Sequence, residues 1–286
     1  MRDRLTAFLF CSFLVVALAA IALAAYLDGR DAPLPAASAA APTPSALPVV
    51  EPSPTSTPMP APTATSTPDP GASLTLAVPG LPDSLDPLQT RDAAGQMFTS
   101  LVFSGLTRAT PDGRIVPDLA AAWRVSGGGT VWDFDLRAGA RWHDGMPVTP
   151  ADVAFTVGRA KGGWLGSMWR GITVEPAGPE AERFHVPSDR AGSFAALASL
   201  PLLPAHLLGG DAQAAARFQT MPIGAGPFKV DRIDATGASL ARVVPHVPGK
   251  GNVETVRVLF TSGEGETLPL VRTGDADVGL LPVADA

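Results

Sequence analysis

Between Asp31 and Ser73 the chain is so dense in proline that this tract decides where a fold can begin. Residues 32–72 hold 12 of the 30 prolines, set among Ala, Ser and Thr, with no aromatic residue and almost no charge. Proline offers no amide proton to a helix or a sheet ladder. The tract also lacks the apolar area needed to offset the entropy of ordering it. It reads as an extended, partly polyproline II tether, which at ~3.1 Å per residue reaches on the order of 100 Å. The segments on its two sides are therefore separate problems. Residues 73–286 are the part that can bury a core, long enough for one large domain or two small lobes.

Residues 1–31 are read apart from the fold. Arg2 and Arg4 precede an uncharged run from Leu5 to Leu27. As a helix that run rises ~35 Å, enough for a hydrocarbon core of ~30 Å. Asp28, Arg30 and Asp31 come next. The positive bias on the N-terminal side keeps that end inside and exports the rest. Two readings fit: an uncleaved membrane anchor, favoured by length, or a secretory signal peptide cleaved after a small-x-small site such as Ala22-Leu23-Ala24. Both export the chain. Cys11 is the single cysteine and comes after Phe8-Leu9-Phe10 rather than small residues, so it reads as a lipid-facing or buried thiol and not a lipidation site. The exported part has neither a disulfide nor a thiolate metal site.

The net charge of −6 and the absence of a basic run exclude a nucleic-acid surface. Alternation predicts strands at Ser73–Val78, at Thr130–Leu136 with Trp132, Phe134 and Leu136 on one buried face, and at 172–174, 184–186, 228–233, 239–244, 253–260 and 278–281. Helical spacing predicts helices at Asp92–Val102 with Asp92 as N-cap, at Pro117–Trp123, and at 193–200, 205–208 and 266–273. Thr149-Pro150-Ala151-Asp152 is a helix start: Thr149 caps, Pro150 suits the first turn, and Asp152 faces the positive end. Val153, Ala154 and Val157 give that helix its inward stripe, and Gly162-Gly163 ends it. Pro111-Asp112-Gly113 is a hairpin-type turn. Strands and helices mix without strict alternation, which defines an α/β (mixed α+β) fold.

Five motifs stand in order along this part: Gly105-Leu106-Thr107-Arg108, Asp112 to Trp123, Phe134 to Arg137, His143 to Val153, and Pro222 to Phe228. In this order they resemble the extracellular solute-binding proteins of ABC importers, family 5, the peptide/nickel class. The resemblance implies a periplasmic-binding-protein-like type II architecture of two lobes around a ligand cleft. Val271–Leu281 (VRTGDADVGLL) matches the family segment just before the first crossing between lobes. The expectation is thus an N-terminal lobe over 73–286, incomplete, with the second lobe absent. Two departures are small: Gly128-Gly129 replaces the family's Asp-Gly, and Ala225 replaces a threonine.

The resemblance further implies an extracytoplasmic protein that captures an oligopeptide or related small solute and hands it to ABC permease subunits in the membrane. It implies no catalysis and no cofactor. The alternative is a single-lobe interaction or sensory module, or a non-functional truncated receptor. A hydrolase lacks its parts: no G-x-S-x-G, H-E-x-x-H or P-loop occurs, and Ser126 and Ser167 have no supporting context. His143-Asp144-Gly145 reads as a structural turn flanked by Trp142 and Val148. The four histidines (His143, His185, His206, His246) are scattered, with no nearby carboxylate set, so no metal site is expected. Pro222–Phe228 reads as a structural turn, its glycines allowing φ > 0 and close backbone approach.

Two places are candidates for ligand contact. One is the loop from Leu81 to Arg91 after the first strand, above all Leu81, Pro82, Asp83, Ser84 and Leu85, because loops at strand C-ends line clefts. The other is Trp164 with Trp169, after a helix end. Nickel-chelate binders also carry an arginine in the segment matching Ser199–Pro204, where this chain reads SLPLLP. That argues against an anionic metal chelate.

Overall fold

The first strand takes in the last residue of the proline tract. The computed structural model describes residues 72–110, 112–210, 212–243 and 253–281. The anchor or signal segment and nearly all of the tether lie outside the described residues. Ala72 belongs to β1 (Ala72–Pro79), whose Leu74, Leu76 and Val78 are buried. Helix α1 (Ala93–Val102) comes after a long loop and starts where expected, with the Asp92 carboxylate accepting from the Gly95 amide at 2.6 Å.

A short hairpin, β2 (Thr107–Ala109) and β3 (Ile115–Pro117), turns at Gly113 with φ 80°. The next segment corrects the helix expected at Pro117–Trp123. The chain there is extended and continues as β4 (Ala120–Ser126), antiparallel to β5 (Val131–Leu136). Leu119 and Ala120 donate their amides to the Gly105 and Leu106 carbonyls at 3.1 and 3.0 Å, so tertiary pairing overrides the helical preference of Leu-Ala-Ala-Ala. β5 keeps its predicted face: Trp132, Phe134 and Leu136 point inward.

Helix α2 (Pro150–Gly162) starts at Thr149 and ends at Gly163, as its sequence predicts. Its stripe is corrected at one position. Ala154 is exposed, and Thr156 and Ala160 join Asp152, Val153 and Val157 on the buried side. Then come β6 (Thr173–Gly178) and β7 (Ala181–His185), completing a four-stranded antiparallel sheet in the order β4-β5-β7-β6. Three short helices come next: α3 (Phe194–Leu197), α4 (Ala205–Leu208) and α5 (Ala212–Phe218). The sequence reading missed α5, which has only Phe218 buried and so no apolar stripe to detect.

The remaining strands are β8 (Phe228–Asp234), β9 (Gly237–Arg242), β10 (Val253–Thr261) and β11 (Val278–Gly279), with α6 (Glu264–Thr273) between the last two. They close around β1 in the order β11-β1-β10-β9-β8. β1 runs parallel to both β10 and β11, while β8, β9 and β10 pair antiparallel. One buried apolar cluster runs through both sheets, from Leu74 and Leu76 in the first to Trp132, Phe134 and Phe184 in the second. Phe194 is its aromatic hub, with ring centroids 5.2 Å from Phe184, 5.4 Å from Trp132 and 6.3 Å from Trp169. Such rings bury large apolar areas, and their edge-on contacts add to that burial.

Two distant motifs clip the sheets together. The His143 amide donates to the Gly224 carbonyl at 2.9 Å, and the His143 ring lies 3.0 Å from the Gly226 carbonyl and 3.3 Å from the Gly224 amide. The amide needs an acceptor nitrogen at Nδ1, so Nε2 carries the proton and donates. Gly224 and Gly226 in turn press on the backbone of Val102; a Cβ on Gly224 would stand 1.9 Å from the Val102 oxygen. These glycines serve close approach. Neither has a positive φ. The expected structural reading of both turns fits this packing.

Candidate functional site

The chain leaves β1 through Gly80, with φ 86°, and its amide bonds the carbonyl of Thr261 at the end of β10 at 2.8 Å. Two parallel strands therefore end side by side, and their connections diverge. The helix after β1 packs against β8, whereas α6, after β10, packs on β1 and β11. In open α/β sheets, such a divergence at the C-terminal ends of strands opens the crevice where ligands bind.

The loop over that edge is held by its own carboxylates. Asp83 accepts from the Thr90 hydroxyl at 2.7 Å and the Arg91 amide at 3.0 Å, and its own amide donates to Asp92 at 2.8 Å. Asp86 is 1% exposed; it accepts from the Leu88 amide at 2.9 Å and from the Arg159 guanidinium of α2 at 3.0 Å. A buried carboxylate needs such a partner to stay charged. Trp164, in the 3-10 turn after α2, donates its indole N–H to the Leu88 carbonyl at 2.9 Å. The Arg91 guanidinium lies over the Trp164 ring, 5.7 Å from its centroid. The loop and the aromatic residue, separate candidates in the sequence, are thus parts of one surface.

The seven expected contact residues divide. Leu81 and Asp83 are exposed, and Pro82, Ser84 and Trp164 are partly so. Leu85 is buried and belongs to the core. Trp169 is 2% exposed and packs edge-on against Phe194, so it is a core residue and not part of the cleft surface. Ser199–Pro204 also supplies core, through Leu202 and Leu203. Sequence reasoning missed the Asp86–Arg159 bond and the stacking of Arg91. Nothing local marks either, because each joins the loop to residues distant along the chain.

The histidines are less isolated than expected. His206 lies 2.8 Å from Asp144 and His185 lies 3.1 Å from Glu175. No group of three or more potential metal ligands gathers among the described residues. At the end of β10, Ser262 holds the Glu266 carboxyl below its ordinary pKa by donating its amide. Among the described residues no helix is long and apolar enough to cross a membrane.

The sheet order, the divergent strand ends and the loop above them define a partial lobe of the periplasmic-binding-protein-like class. Residues 114–286 match the bacterial extracellular solute-binding proteins, family 5 Middle. The chain belongs to that family, whose members are extracytoplasmic binding proteins rather than enzymes. Among its relatives is Protein XP55 of Streptomyces lividans, 29% identical over 224 residues, covering 73% of this chain and 39% of the relative. Among solved structures, the oligopeptide-binding protein AppA of Bacillus subtilis with a nonapeptide is 25% identical, with TM-score 0.67, covering 76% of this chain and 45% of AppA. NikZ of Campylobacter jejuni with Ni(L-His) is 26% identical, with TM-score 0.65, covering 74% and 43%. The chain spans less than half the length of these relatives.

Proposed function

We propose that this chain is part of the extracytoplasmic solute-binding component of an ABC importer, which captures an oligopeptide or related small solute and delivers it to a membrane permease. The observation that carries the reading is the joining of the Leu81–Arg91 loop to Trp164 over the C-terminal ends of β1 and β10. Membership of family 5 supports it, as do relatives named for peptide binding. A metal chelate is the weaker ligand class. The segment where chelate binders carry an arginine supplies buried leucines here.

In this reading, the described residues form a first lobe whose loop surface faces the solute. Affinity comes from enclosing the solute and excluding water. The N-terminal apolar segment holds or exports the protein at the outer face of the membrane, and the proline tract is its tether.

Calorimetric titration of the full-length protein, stripped of carried-over ligand, with short peptides, sugars and metal–amino-acid chelates tests this. Saturable binding of a peptide pool at micromolar or tighter affinity is expected. Absence of binding to every class overturns the proposal and favours the single-lobe interaction module.

A further inference from the structure

Arg91 ends the loop, and hydrogen bonds hold its backbone while its charge is left unused. Its amide is held by Asp83 at 3.0 Å, and its carbonyl accepts from the Gln96 side chain at 3.2 Å. Its guanidinium rests on the Trp164 ring, which is itself tied to the loop by its bond to Leu88. Yet the guanidinium finds no carboxylate or carbonyl acceptor among the described residues, although the loop carries Asp83, Asp86 and Asp92. Each of those acids is committed elsewhere. Asp83 takes the Thr90 hydroxyl and the Arg91 amide, Asp86 takes Arg159, and Asp92 takes the Asp83 and Gly95 amides. Gly95 itself is a glycine because a Cβ there would stand 1.9 Å from the Thr90 hydroxyl. The loop's acids are thus matched by other donors, and one exposed guanidinium over the Trp164 ring remains.

The guanidinium, 5.7 Å from the centroid of the indole beside it, presents paired N–H donors in the geometry a carboxylate accepts. We propose that Arg91, positioned by Trp164, receives a carboxylate of the captured solute, so that this site takes free acids in preference to their amides. The inference rests on the solute-capture reading and names the chemical class that reading leaves open. It concerns a different residue from the arginine of chelate binders, which this chain lacks at Ser199–Pro204.

The test is calorimetric titration of the full-length protein, as wild type, Arg91→Gln and Arg91→Lys, with a pool of short peptides bearing free C-terminal carboxylates and the same pool amidated. Wild type should bind the acids more tightly than the amides. Arg91→Gln should weaken acid binding roughly 10- to 100-fold and abolish the preference for acids over amides, with Arg91→Lys in between. A urea midpoint equal to wild type shows that the variants fold. Equal affinity of wild type and Arg91→Gln for the acid pool overturns the assignment while leaving solute capture standing. So does equal affinity of wild type for acids and amides. If wild type binds neither pool, peptide capture itself falls, and this inference with it.

Discussion

Gly224 and Gly158 show how differently the same residue type can matter. A Cβ on Gly224 would collide with the Val102 carbonyl at 1.9 Å, and backbone cannot swing aside as a side chain can. Gly158 lies on the exposed side of α2, with nothing within 4 Å of an added Cβ. Gly224→Ala is expected to cost ~2–4 kcal/mol by forcing α1 and the turn apart. Gly158→Ala is expected to add ~0.5–1 kcal/mol, because a mid-helix glycine carries excess unfolded-state freedom. Urea unfolding of both variants against the parent chain measures the difference. A neutral Gly224→Ala would mean that the clip between Val102 and Pro222–Phe228 is loose. The sequence marked this turn as structural but could not name Val102, which is distant along the chain and carries no signal of the contact.

At the scale of elements, local signals were legible and non-local ones were not. The α2 start was readable because Thr149, Pro150 and Asp152 act within one turn of each other. Asp152 does more than cap. It is 3% exposed and accepts from the Thr149 amide at 2.8 Å, the Trp142 indole at 3.3 Å and the Ala205 amide at 2.8 Å. Asp152→Ala therefore leaves the buried Trp142 indole and the partly buried Thr149 and Ala205 amides without an acceptor and is expected to cost ~2–4 kcal/mol, well beyond the ~1 kcal/mol of a simple cap. Thermal unfolding of the variant checks this, and a loss near 1 kcal/mol would reduce Asp152 to a cap. β4 was misread because its strand character comes from pairing with β5 and not from its own alanines.

That pairing also creates a row across the four-stranded sheet. Arg124, Asp133, Arg183 and Glu175 stand directly opposite one another on successive strands, with alternating charge. Arg183 donates to Asp133 at 2.7 Å and holds its carboxyl below the usual 3.8. The depressed pKa means that stability is gained above the unfolded-state value and lost as the pH falls through the folded one. The row is partly solvated, so Asp133→Asn is expected to cost under ~1 kcal/mol at neutral pH. The variant should also lose less stability than the parent between pH 5 and the acid limit, as urea midpoints across that range will report.

Taken whole, the described chain has one apolar core through two sheets, and a group buried in either sheet acts on the stability of both. Glu182 is such a group. It lies on the inner face of β7 at 0% exposure, opposite Phe134 of β5 and Pro176 of β6, and neither carboxyl oxygen has a hydrogen-bond partner. Burial raises its pKa from 4.5 to about 7, with a further push from the negative charge of Glu175. The native state therefore holds a proton that the unfolded chain has already released. Its contribution is complete below the unfolded value of 4.5 and is lost as the pH rises through about 7. Stability should thus fall by up to a few kcal/mol between mildly acidic and mildly alkaline pH, beyond what the other groups cause. Glu182→Gln should flatten that slope. Trp123 and Trp132 stand on β4 and β5 and Trp169 packs on Phe194, so tryptophan fluorescence weights the four-stranded sheet, whereas far-UV circular dichroism reports both sheets. If the core is one cooperative unit, both probes give the same midpoint and the same pH slope. A slope seen by fluorescence alone would mean that the four-stranded sheet unfolds separately, and an unchanged slope in Glu182→Gln would mean that another group carries the proton.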